Sequence, residues 1–136
     1  MVICDSEIEA ILDSILGGNA YSPQATVYIG LLTDDPLSDG SGYSETTYTG
    51  YGRISKTNNT TNFPNCTAGS RQKSNGTVIT FASAGSAGGT IVGVGIFYGS
   101  SGGNCILYAP LSASEVINTG NIVSFAVGQL KFTSVA

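Results

Sequence analysis

Asp34, Asp35, Asp39 and Glu45 are the densest group of potentially reactive side chains in the chain, four of its nine acidic residues within the stretch from Thr33 to Glu45. Carboxylates gathered in this way could hold Ca²⁺, the one metal for which hard oxygen ligands of this kind are suited. Their spacing does not match an EF-hand loop, and Asp35-Pro36 and Asp39-Gly40 read as an Asx-type turn start and a second turn. A glycosidase would need two acids facing each other across a sugar cleft with aromatic platforms, whereas these acids share one Gly/Ser-rich loop. The group therefore predicts no metal, no cofactor and no catalytic pair.

The rest of the reactive inventory is equally thin. There is no histidine, which removes the commonest general base and the commonest metal ligand together. Cys4, Cys66 and Cys105 have no metal-type spacing and cannot all pair within one chain, so they read as reduced, mostly buried thiols. Activation of Cys66 or Cys105 by Lys56 or Lys73 lacks a base to support it. Gly93-x-Gly95 followed by Gly99 lies inside an apolar β run with its third glycine one residue late, so it is not a dinucleotide fingerprint. Its glycines instead predict a flat strand face for close approach of another backbone, or a bend. The chain does not read as an enzyme.

Composition points to packing. Only 10% of the 136 residues are charged, against an ordinary ~25%, and Gly, Ser, Thr and Asn fill the polar positions. A surface with so little like-charge repulsion suits a chain covered by a partner or by copies of itself. The net charge is −4, and Arg53, Lys56, Arg71, Lys73 and Lys131 are the only basic residues, which excludes a nucleic-acid footprint. No apolar run is long enough for a membrane span, and Met1 to Asp5 has no signal-like pattern, so synthesis in a host cytoplasm is expected. Sequons at Asn58, Asn59, Asn65 and Asn75 are read as chance in an Asn/Thr-rich chain.

The elements that must position these residues follow from periodicity. Ile8, Ile11, Leu12, Ile15 and Leu16 make one apolar stripe on a helix over about 6–16, with Ser6 and Glu9 at capping-box spacing and Gly17-Gly18 as the stop. About three turns are not stable alone, so the stripe is expected to dock on a sheet or on a neighbouring subunit. Residues 26–135 have β character: strands are predicted at Thr26 to Leu32, Tyr51 to Lys56, Thr77 to Phe81, Ile91 to Tyr98, Cys105 to Leu111, Ile122 to Val127 and Leu130 to Val135. Gly93 to Leu111 reads as a hairpin around a small polar turn. The sum is one mainly β domain over 1–136, a small antiparallel sandwich or partly open barrel with one N-terminal helix. The acidic loop and the small-residue connection Ala82 to Gly89 are expected to be exposed.

In order along the chain stand Leu12-Asp-Ser-Ile-Leu-Gly-Gly, Thr26-Val-Tyr-Ile-Gly-Leu-Leu-Thr-Asp-Asp-Pro, Gly50-Tyr-Gly-Arg53, Asn62-Phe-Pro64, Ile79-Thr-Phe81, Val94-Gly-Ile-Phe97, Gly102-Gly-Asn-Cys-Ile-Leu-Tyr108 and Phe125-Ala-Val-Gly128. In this order they resemble a family of small tailed-bacteriophage virion proteins, often labelled tail-fibre-like, some of which are capsid decoration or cement proteins. Gly52 departs from the family's Gly-Gly-Tyr-Ala-Arg-like motif, and its mid-chain tryptophans are absent. The resemblance implies a virion protein, a homotrimer that binds the outer surface of an icosahedral shell and ties neighbouring major capsid protein subunits together, with no catalytic residue carried over.

On that reading Ile8, Ile11 and Ile15 and the strand Gly93 to Tyr98, with Val94 and Ile96, are the expected oligomer contacts. Asp34, Asp35, Asp39, Glu45, Tyr48, Tyr51 and Arg53, with Met1 to Asp5, are the expected shell contacts. The alternative is a tail or fibre host-recognition module binding a cell-surface glycan through tyrosines, Tyr43, Tyr48 and Tyr51 among them, and Asn/Thr side chains.

Overall fold

A computed structural model describes residues 2–134. The long strands form where β-branched and apolar residues run together: β2 (Thr26–Asp34), β7 (Gly89–Phe97) and β8 (Leu107–Ile117). Shorter pieces complete the pattern: β1 (Val2–Ile3), α1 (Asp5–Ile15), β3 (Ser44–Glu45), β4 (Ile54–Thr57), β5 (Gln72–Ser74), β6 (Ile79–Thr80), β9 (Ser124–Phe125) and β10 (Lys131–Thr133). The main sheet runs β1-β8-β7-β2-β3, all antiparallel, with β4 sharing the far edge of β2. It curls into a half-barrel, the partly open barrel expected from the strand pattern. Two-stranded pairs β5–β10 and β6–β9 accompany it.

Alternation along β2 sorts the molecule into two cores. Val27, Ile29 and Leu31 join Val94, Ile96, Ala109, Ile79, Phe81 and Phe132 in the larger cluster, while Leu32 packs with Phe97, Cys105 and Tyr108 in a smaller one. The predicted hairpin is β7–β8, and it carries one marked irregularity: Ile91 pairs with Glu115 but Gly93 pairs with Pro110. Pro110, which has no N–H for a ladder, sits at this bulge, and the strand resumes beyond Leu111 as far as Ile117.

Three local expectations change. The helix is Asp5–Ile15, and the Ser6–Glu9 capping box does not form, because Cys4 is the N-cap and no side chain caps it. The strand running into the helix supplies tertiary partners instead: the Cys4 N–H donates to Ile106 O and the Asp5 N–H to Ser38 O, each at 2.9 Å. Gly18, at φ +69°, supplies the left-handed residue that ends the helical path. The first part of the predicted strand Tyr51 to Lys56 is not in the ladder, because Tyr51 and Arg53 turn to hold Glu45. In the connection Ala82 to Gly89, Ala84 and Gly88 are buried, pinned by Ala84 N–H to Asn121 O and Gly88 N–H to Ile117 O. Val135, placed in the last predicted strand, and Met1 lie outside the described residues.

Asn75 is the polar centre of the larger core, only 1% exposed. Its amide nitrogen donates to Thr77 O (3.0 Å), Phe125 O (3.3 Å) and Ala126 O (2.9 Å), and its carbonyl accepts from Leu130 N–H (2.9 Å). The Asn75-Gly76 turn signal thus marks a tie to the last strands, and burial closes this sequon to a glycan. Asn75→Ala is expected to cost about 2 kcal/mol, since backbone groups lose their partner inside the protein. The urea midpoint of the purified chain measures it, and a shift within the scatter of surface variants would contradict the role.

Candidate interaction surface

The apolar stripe on α1 is not used by its own chain. None of its residues is buried, and Ile8 is 42%, Leu12 51%, Ile15 70% and Leu16 85% exposed. The expectation that it docks is therefore not met inside this chain; Ile11 alone of the stripe is half-covered. The helix is held at its start by Cys4 and Asp5, by Ser38 Oγ donating to Asp5 Oδ2 (3.0 Å), and on one flank by Tyr21 donating to Glu7 Oε2 (2.5 Å). A free apolar face on a helix so anchored is a candidate interaction surface.

Beside it the sheet leaves an apolar groove of about 720 Å³, lined by Val27, Ile96, Leu107, Phe63 and Phe132 together with Arg71 and Lys73. A smaller groove of about 170 Å³ adjoins it, sharing Val27, Ile96 and Leu107, and there the chain's own Glu7 and Ile11 form part of the wall. Lys73 Nζ donates to Phe63 O (3.1 Å) and Pro64 O (2.9 Å). Among the described residues no hydrogen bond or ion pair holds the Arg71 guanidinium.

The other expected contacts divide. Ile8, Ile11 and Ile15 lie on the helix stripe, but Val94 is fully buried and Ile96 is 8% exposed, both committed to the larger core. Packing on β2 and β8 covers most of the strand face that was read as free, and Ile96 reaches the wall of both grooves. Asp34, Asp35 and Asp39 are exposed on the acidic loop, where Asp39 Oδ1 accepts from the Ser41 N–H and hydroxyl, bonds that lower its pKa. The Tyr108 hydroxyl donates to Asp35 Oδ1.

Tyr48 is buried, and Glu45, Tyr51 and Arg53 are half-buried and tied to one another. Arg53, its side chain 1% exposed, donates from Nε to Glu45 Oε1 (2.9 Å) and from Nη2 to Glu45 Oε2 (2.6 Å), the one ion pair among the described residues. Its Nη1 donates to Gly99 O (2.8 Å) and Gly102 O (2.9 Å), and its Cζ lies 3.5 Å from the centre of the Phe97 ring. Tyr51 donates to Glu45 Oε1 (2.7 Å) and accepts from Leu31 N–H (3.0 Å). Burial works against the Arg53 charge, but Glu45 outweighs it and raises the guanidinium pKa; burial and then Glu45 raise that of Tyr51. The Gly50-Tyr-Gly-Arg53 motif is thus a clamp on the β7–β8 turn.

Of the tyrosines read as a sugar platform, Tyr48 is buried and Tyr43 and Tyr51 are half-buried. Tyr43 donates to Gly103 O (2.6 Å) and Tyr48, 3% exposed, to Ala82 O (2.9 Å). Sequence reasoning missed the groove, because it is assembled from six separate segments, and no local period marks it. Among the described residues no three His, Cys, Asp or Glu side chains gather to hold a metal, and no helix is long and apolar enough to cross a membrane. Cys4 and Cys105 are buried and Cys66 is exposed; burial pushes the Cys105 thiol up to about 11.

A family model described as podophage GP4 fiber I protein gp80 matches residues 3–133. No curated protein matches the chain.

Proposed function

The chain belongs to the podophage GP4 fiber I protein (Gp80) family, a family of tailed-phage virion proteins, and on that premise we propose that it is a non-catalytic building block of the fibre apparatus. The observation that carries this is the anchored helix with an open apolar stripe, on a chain whose Glu45, Tyr48, Tyr51 and Arg53 are tied up in internal hydrogen bonds. Such a stripe gains free energy only by being covered, at roughly 25 cal/mol per Å² of apolar surface removed from water. The chain therefore works by assembly. Its residues do no bond chemistry; they hold a rigid half-barrel that presents the helix and the groove.

A second reading, capsid decoration, is favoured by the exposed acidic loop with Asp34, Asp35 and Asp39 on a chain of low charge. In that role homotrimers would cover the outer shell and bridge major capsid protein subunits. Copy number separates the two. Quantitative mass spectrometry of dissolved particles is expected to give a few copies for each tail, far below the major capsid protein. A level comparable to the capsid protein would replace the fibre reading with decoration, and absence from particles would remove both.

A further inference from the structure

We propose that the stripe of α1 in one copy docks into the apolar groove between Phe63 and Phe132 of a second copy. This rests on the fibre reading and names what covers the helix. The two surfaces are complementary in charge, and both are apolar at their centres. The helix carries Asp5, Glu7, Glu9 and Asp13 and no basic residue in its last turn. Asp5, Glu9 and Asp13 recur every four residues, so they form an acidic line along one flank of the stripe. The groove offers apolar walls with Arg71 and Lys73 among them. An amphipathic helix in an apolar groove is a common recognition mode, and here the charges at its margin match.

The alternatives within the chain fail on geometry and charge. A helix cannot turn its own stripe into its own larger groove, because its first turn is tied to Ile106 O and Ser38 O and its flank to Tyr21. Helix against helix across a two-fold axis would bring eight carboxylates together without a cation. Asp13 adds a further pull: it stands in the last turn, where the helix dipole disfavours an anion, and a cation from a neighbour relieves that. Helix-to-groove contact is heterologous, so each copy offers one helix and one groove and the copies close into a ring or extend as a fibre.

Sedimentation of the purified full chain across concentration tests this, with circular dichroism checking that each variant is folded. The parent chain is expected to self-associate, more tightly at low salt. Leu12→Glu is expected to weaken association at least about thirtyfold, as loss of a central anchor does. Asp13→Lys and Arg71→Glu are each expected to weaken it roughly tenfold, and the two together to recover most of the loss. A parent chain that stays monomeric at about 100 µM overturns the proposal, as does association that Arg71→Glu leaves unchanged. A monomeric chain that is still counted at fibre levels in particles leaves the fibre reading standing and removes this one.

Discussion

Arg53→Ala is expected to lower the unfolding free energy by about 3–5 kcal/mol, the cost of removing one partner from a buried ion pair. The substitution strands Glu45, which is 20% exposed, together with the carbonyls of Gly99 and Gly102, and it uncovers one face of Phe97. Against a total of about 5–15 kcal/mol for a domain of this size, the variant stands close to unfolding. Arg53→Lys is expected to recover little, because a point charge cannot reproduce a fork that meets both Glu45 oxygens and stacks on a ring. Urea denaturation of the two variants measures this. A loss below about 1 kcal/mol for Arg53→Ala would mean that the pair behaves as a solvated surface bridge.

Gly93→Ala is expected to cost about 2–4 kcal/mol by forcing the Tyr108 ring from its place and breaking its bond to Asp35. A Cβ at Gly93 would lie deep inside the van der Waals radii of Cε2, Cζ and Oη of Tyr108, atoms of a ring fixed against the sheet. A Cβ at Gly95 would come within 2.8 Å of Phe97, so the same device recurs one pair along the strand. The decisive comparison is Gly93→Ala in a Tyr108→Ala background, where the ring is gone and the added cost is expected to fall to a few tenths of a kcal/mol. An unchanged cost there would place the effect in the backbone and not in the ring.

These two sites also mark where sequence reading reaches its limit. Strand alternation and the small polar turn Gly99-Ser-Ser-Gly102 made β2, the β7–β8 hairpin and the curled antiparallel sheet legible, since those signals are local. The flatness of the strand at Gly93 and Gly95 was legible as well, but its occupant was not: rings of Tyr108 and Phe97 fill the space expected for another backbone. Ile8, Ile11 and Ile15 stood out because helical period places them together. Val94 and Ile96 stood out for the same apolar character, and only the pairing with β2 and β8 showed them to be interior. Tyr51 and Arg53 looked like surface contacts because polar side chains usually are. Their burial depends on Glu45 arriving from another strand, which no spacing encodes. The short strands β1, β3 and β5 carry two or three residues each, too few for any period to register.

The pairing of β1 with β8 ties Val2 to Tyr108 and Ile3 to Leu107. During synthesis more than a hundred residues separate the emergence of these partners, so the first strand waits unpaired until most of the sheet exists. The carbonyl of Ile106 that receives the Cys4 N–H, and so sets the start of α1, arrives equally late. Folding order thereby acts as quality control: an incomplete chain has no fixed helix to present, and the assembling surface takes its position only when the half-barrel behind it is finished.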